Sequence, residues 1–146
     1  MKITGFETLH GDAVRCFSFL KVTTDVGITG WSEFTGINER NRRMGLDSLI
    51  HAMMRSLMGR DPREIERISG DLLNDIKLSQ SGLNHQAIGA VQNAIIDITA
   101  KDLGVPVYKL FGGPVRTRIP LYWSHFGMLR MGVNAQRYEL DPINTL

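Results

Sequence analysis

Two short stretches place chemically capable side chains at the ends of apolar runs. Trp31-Ser32-Glu33-Phe34-Thr35-Gly36 sets a carboxylate and an indole just before a loop, and binding groups concentrate in loops at strand ends. Tyr122-Trp123-Ser124-His125-Phe126 sets an imidazole and a hydroxyl at the end of the last clear apolar run. A plainer reading stands beside the first: Trp31 packs inward and Glu33 is merely solvated. No GxGxxG, P-loop, HExxH, CxxC or GxSxG occurs in the chain. His10, His51, His85 and His125 are scattered without metal-ligand spacing and read as surface or capping residues. Asp97 precedes Lys101 by one helical turn, an i,i+4 ion pair with a structural role. No catalytic residue and no metal ligand follows from the residues alone.

The elements that would position these groups change period near residue 38. Before it, Lys2 to Leu9, Arg15 to Thr24 and Gly30 to Phe34 read as three strands of an antiparallel meander, with turns near Gly11-Asp12 and at Asp25-Val26-Gly27. After it, Leu46, Leu49, Ile50, Met53, Met54, Leu57 and Met58 recur at helical spacing, which gives a helix with its core face named. Asp61-Pro62-Arg63-Glu64 has the form of a capping box and predicts a second helix from Pro62, ended by Ser79-Gln80-Ser81-Gly82. A third helix, Asn84 to Leu103, turns Ala87, Ile88, Val91, Ala94, Ile95 and Ile98 to one side and is stopped by Gly104 and Pro106. Residues 1–113 should form one α+β unit, and 114–146 a linker followed by a strand over Ile119-Pro120-Leu121-Tyr122-Trp123.

Composition excludes several functions. With 17 basic against 15 acidic side chains the net charge is only +2, and Arg40-Asn41-Arg42-Arg43 has no interleaved aromatics, so nucleic acid is not an expected partner. No run approaches ~20 apolar residues, so no membrane span is expected, and the N-terminus lacks the apolar core of a secretory signal. One cysteine, Cys16, cannot form an internal disulfide, which agrees with a cytoplasmic location.

The stretch from Ala94 to Tyr122 carries more than a helix pattern. Asp97, Ala100-Lys101, Leu103-Gly104-Val105-Pro106, Leu110-Phe111-Gly112-Gly113 and Arg116 resemble the domain junction of the mandelate racemase/muconate lactonizing branch of the enolase superfamily. MKITGFETL resembles that family's opening strand, VTTDVGITGWSE its second hairpin, and GRDPREIERI its second helix. The resemblance implies an enolase-type N-terminal capping domain, a three-stranded antiparallel meander followed by a three-helix bundle, joined to the first strand of a truncated (β/α)8 barrel. A full barrel takes about 250 residues, and its active site lies at the C-terminal ends of its strands, which is where Trp123 and His125 would fall.

In such enzymes, the resemblance implies, a base removes the proton α to a carboxylate while Mg2+ on three acidic ligands of later barrel strands stabilises the enediolate. None of those groups can be carried onto this chain. What carries over is a lid and substrate-specificity role for the loops from His10 to Arg15 and from Glu33 to Glu39, in which Arg15 or Arg40 could pair with a substrate carboxylate. The substrate-binding candidates are therefore Arg15, Glu33, Arg40, Trp123 and His125. The expected whole is a homo-oligomeric, Mg2+-dependent acid-sugar dehydratase, racemase or cycloisomerase acting on a small carboxylate or sugar acid, with this chain inactive alone. The alternative is a non-enzymatic module that associates through its orphan apolar strand.

Overall fold

A computed structural model of the chain describes residues 1–12, 16–34, 40–76 and 82–122. Two compact units divide it, Met1–Gly113 and Pro114–Leu146. The first is α+β: strands β1 (Ile3–Asp12), β2 (Cys16–Thr24) and β3 (Thr29–Glu33), then helices α1 (Arg40–Leu57), α2 (Ile65–Asp75) and α3 (Leu83–Asp102) and a short 3-10 helix, Val107–Phe111.

The strands form an antiparallel sheet in the order β1-β2-β3. Side chains alternate across a strand, and here one parity lies on the helix side on all three: Phe6, Thr8 and, at the exposed rim, His10, then Ser18, Leu20 and Val22, then Gly30, Ser32 and Phe34. β1 runs through Asp12, beyond the turn expected at Gly11-Asp12, because Gly11 and Asp12 still pair with Phe17 and Cys16. At the other end, Gly27 takes φ 81° and its N–H donates to the Thr24 carbonyl, closing the β2–β3 turn where a side chain would be strained.

α3 is the centre of the unit, touching β2, β3, α1 and α2. All six positions that the period assigns to its core face are buried, and Ala90 and Ala100 are buried as well. Each large aliphatic side chain so buried contributes about 1.5–3 kcal/mol relative to exposure. It approaches the sheet tightly at Gly30, where a Cβ would lie 2.2 Å from the Ala94 carbonyl oxygen. The same seam is polar at its rim. Asp97 Oδ2 accepts from the Trp31 N–H at 2.9 Å, and Lys101 Nζ donates to the Thr29 carbonyl at 2.7 Å and to Asp97 Oδ2 at 2.7 Å. The i,i+4 pair read from sequence thus also satisfies the outer edge of β3.

Further details differ from the sequence-based expectation. α2 starts at Ile65, not Pro62, because Asp61 Oδ1 accepts from the Arg63 N–H at 3.0 Å and holds 61–64 in a turn, while the Glu64 side chain makes no capping bond. Met58 lies beyond the end of α1 and is exposed. Residues 119–122 form no strand: Pro120 removes a ladder donor, and no partner strand faces them among the described residues. α2 also ends earlier than the expected Ser79 to Gly82: its last residue is Asp75, and Ile76 caps it with its N–H donating to the Leu73 carbonyl.

The exit from α3 is a Schellman motif. The Val105 N–H donates to the Ala100 carbonyl at 3.0 Å and the Gly104 N–H to the Lys101 carbonyl at 3.1 Å, with Gly104 at φ 64°. No helix among the described residues is long and apolar enough to cross a membrane.

Candidate functional site

Of the five expected substrate-binding residues, only Glu33 can be placed in full. It ends β3, exposed, opposite Phe19. Trp31, two residues earlier on the same parity, points out of the core and is 42% exposed, with Lys21 Nζ 5.8 Å from its ring centroid. The inward packing weighed for Trp31 is therefore not what forms, because the inward parity of β3 belongs to Gly30 and Ser32. Arg40 opens α1, but its side chain, together with Arg15, Trp123 and His125, lies outside the described residues.

What the fold brings together at the Glu33 end of the sheet is a polar cluster that sequence reading passed over. His10 Nδ1 lies 2.9 Å from Ser18 Oγ, and His10 Nε2 lies 3.0 Å from Asp47 Oδ2 on α1. Its ring meets Phe34 edge-on, with centroids 6.1 Å apart and planes at 86°. The Phe34 N–H donates to the Ser18 carbonyl at 2.8 Å. One row along, Thr8 Oγ1 lies 3.0 Å from His51 Nε2, and His51 sits edge-on to Phe6. The expectation of surface or capping roles fits His10, which is exposed although both ring nitrogens have partners, and fits His51 less well, which is half-buried. Their shared signal was the helix-side parity of Thr8 and His10 on β1, matched by Asp47 and His51 one turn apart on α1.

Chemically, the cluster positions rather than reacts. Ser18 is buried, so its hydroxyl is closed to a substrate. No group of three or more His, Cys, Asp or Glu side chains among the described residues could hold a metal ion. The donor set needed for Mg2+ is thus absent from the described part of this chain. A second concavity, an open groove of about 760 Å3, runs between α2, α3 and the 3-10 helix past Ser69, Gln92, Ile96 and Phe111. Its polar floor is internally satisfied: Gln92 Nε2 donates to Ser69 Oγ at 2.7 Å and Ser69 Oγ donates to the Ile65 carbonyl at 2.7 Å. Its rim arginines are paired as well, Arg63 with Asp61 and Asp102, and Arg67 with Glu64.

Known proteins converge on one family. The family model for the mandelate racemase/muconate lactonizing enzyme N-terminal domain matches residues 6–112. D-galactonate dehydratase of Xanthomonas euvesicatoria pv. vesicatoria (strain 85-10) is 37% identical over 122 residues, 84% of this chain and 31% of the relative. Among solved structures, a Burkholderia xenovorans LB400 protein assigned as an L-alanine-DL-glutamate epimerase superposes with a TM-score of 0.82 at 38% identity, over 90% of this chain and 33% of its own. It has also been solved with magnesium and fumarate bound. An Agrobacterium radiobacter enolase assigned as a galactarate dehydratase, holding sodium and L-malate, gives a TM-score of 0.73 at 31% identity, over 82% of this chain and 30% of its own. This chain spans about a third of the length of the relatives it matches.

Proposed function

The chain belongs to the mandelate racemase/muconate lactonizing enzyme family, and from that membership we propose that it is the capping domain of an enzyme that dehydrates a sugar acid. The supporting observation is the 122-residue alignment at 37% identity with a D-galactonate dehydratase, strengthened by structural likeness to a protein assigned as a galactarate dehydratase. Racemisation or cycloisomerisation would share the same first event, removal of the proton α to a carboxylate. The base for that event, and the carboxylates that would hold Mg2+, come from outside the described residues of this chain.

The contribution of this chain is recognition. Glu33 ends β3 beside the His10 cluster, Arg15 immediately precedes β2 in sequence, and Arg40 opens α1. An arginine there would meet a substrate carboxylate with a two-pronged hydrogen bond, and Glu33 would accept from sugar hydroxyls. Trp123 and His125, in the segment we assign to the start of the barrel, are separate candidates for substrate contact. Homo-oligomeric assembly and a cytoplasmic location belong to the same reading.

The test compares two preparations against a panel of sugar acids with Mg2+: this 146-residue chain, and the protein carrying a complete barrel. Turnover by the second and none by the first is expected. Turnover by the chain alone, or by neither, would overturn the proposal.

A further inference from the structure

His10 is the place where the three strands and α1 are joined by one side chain. Nε2 faces Asp47 of α1 at 3.0 Å, Nδ1 faces Ser18 of β2 at 2.9 Å, and the ring edge meets Phe34, the residue that follows β3. A carboxylate has no proton to give, so a neutral imidazole must carry its hydrogen on Nε2 and donate to Asp47. Nδ1 then accepts from the Ser18 hydroxyl. Ser18 is held in turn from the backbone side, since its carbonyl takes the Phe34 N–H at 2.8 Å. The four groups form one connected set, and His10 is the member that reaches all the others. Among the described residues, the nearby His51 and Lys21 do not duplicate it: His51 bonds to Thr8 on the next row, and Lys21 pairs with Glu7 on the opposite face of the sheet.

We propose that His10 is a positioning residue: by holding Ser18, Phe34 and Asp47 in one frame it fixes the end of β3 against α1 and so sets how tightly substrate is held. The second half of that statement rests on the recognition role proposed above; the first half does not. In this role His10 acts through its neighbours. Its effect is transmitted through Phe34 to Glu33, the adjacent residue, and through Asp47 to α1.

Two measurements test this. In the 146-residue chain, amide hydrogen exchange at Phe34 is followed by NMR in the parent, in H10F, in D47A and in the double variant. Phenylalanine keeps the ring against Phe34 and removes both hydrogen bonds. Exchange at Phe34 is expected to quicken about tenfold in each single variant and little further in the double, while Val91 and Ile95 of α3 stay protected. H10Q, which keeps a donor toward Asp47, should recover part of the protection. Unchanged exchange at Phe34, or an equal rise at Val91 and Ile95, would overturn the frame. In the protein carrying a complete barrel, H10F is expected to raise KM about tenfold with kcat within about twofold. A fall in kcat at constant KM would overturn the link to substrate. Absence of turnover in the unsubstituted protein would strike the proposed reaction and not the frame, which the exchange experiment reads without substrate.

Discussion

Asp61 and Arg63 form a fork two residues wide, with Arg63 Nη2 2.6 Å from Asp61 Oδ2 and Arg63 Nε 3.0 Å from Oδ1. Hydrogen bonding from the Arg63 side chain holds the Asp61 carboxyl well below its ordinary value of 3.8, at about 2, and Arg63 is raised in return. A carboxyl depressed in the folded state contributes stability that is complete above the unfolded value and disappears as pH falls toward about 2. D61N should therefore lower the urea midpoint at neutral pH, and the gap to the parent should close as pH drops from about 5 to about 2. A gap that widens on acidification would contradict the assigned role. Sequence alone made Asp61 a helix cap, because Asp before Pro has that form; nothing in the pattern says that an arginine two residues on will occupy both oxygens. His10 escaped for a related reason. Its partners Ser18 and Asp47 lie on other elements, and only strand parity hinted that it faces α1.

α3 was the most legible element because nearly every apolar position on it is used. A helix surrounded by β2, β3, α1 and α2 has to be apolar over a wide arc, and the period shows that plainly. Boundaries were less legible. β1 gained three residues past Leu9 and α2 lost its first turn, since each end is decided by a backbone or side-chain bond that residue type does not announce. Gly30 was legible only as the start of a strand, yet it sets the distance between sheet and helix. An added Cβ would lie 2.2 Å from the Ala94 carbonyl oxygen and 2.6 Å from Ile98 Cγ1, and the first of these is backbone that cannot rotate away. G30A is expected to cost about 3 kcal/mol, the upper part of the range for overpacking, read as a lower urea midpoint with an unchanged slope. A cost below about 0.5 kcal/mol, the scale of a harmless surface change, would mean that α3 can retreat from the sheet.

The first unit, Met1–Gly113, carries the sheet, the three helices and the buried core, and its last turn is closed by the Gly113 N–H donating to the Tyr108 carbonyl at 3.1 Å. A polypeptide of residues 1–113 should accordingly unfold in one transition at a midpoint within about 2 °C of the longer chain, a shift smaller than 1 kcal/mol would produce. A loss of 10 °C or so, checked by calorimetry, would show that residues beyond 113 complete the core. At this scale the fold class and family were legible from residues 94–122 together with the β2–β3 hairpin, whereas the proposed chemistry was not, because no cluster of metal-ligating side chains is assembled among the described residues. The seam that joins Trp31 to Asp97 spans 66 positions of sequence. On a ribosome adding about 5–20 residues per second, the meander waits roughly 3–13 s before the helix that covers Leu20, Val22 and Gly30 has even been made. During that interval α1 can cover only its part of β1 and the inner face of β2 and β3 is bare, so the fold is decided late in synthesis, and the newborn strands depend on whatever shields apolar surface in the cell until α3 arrives.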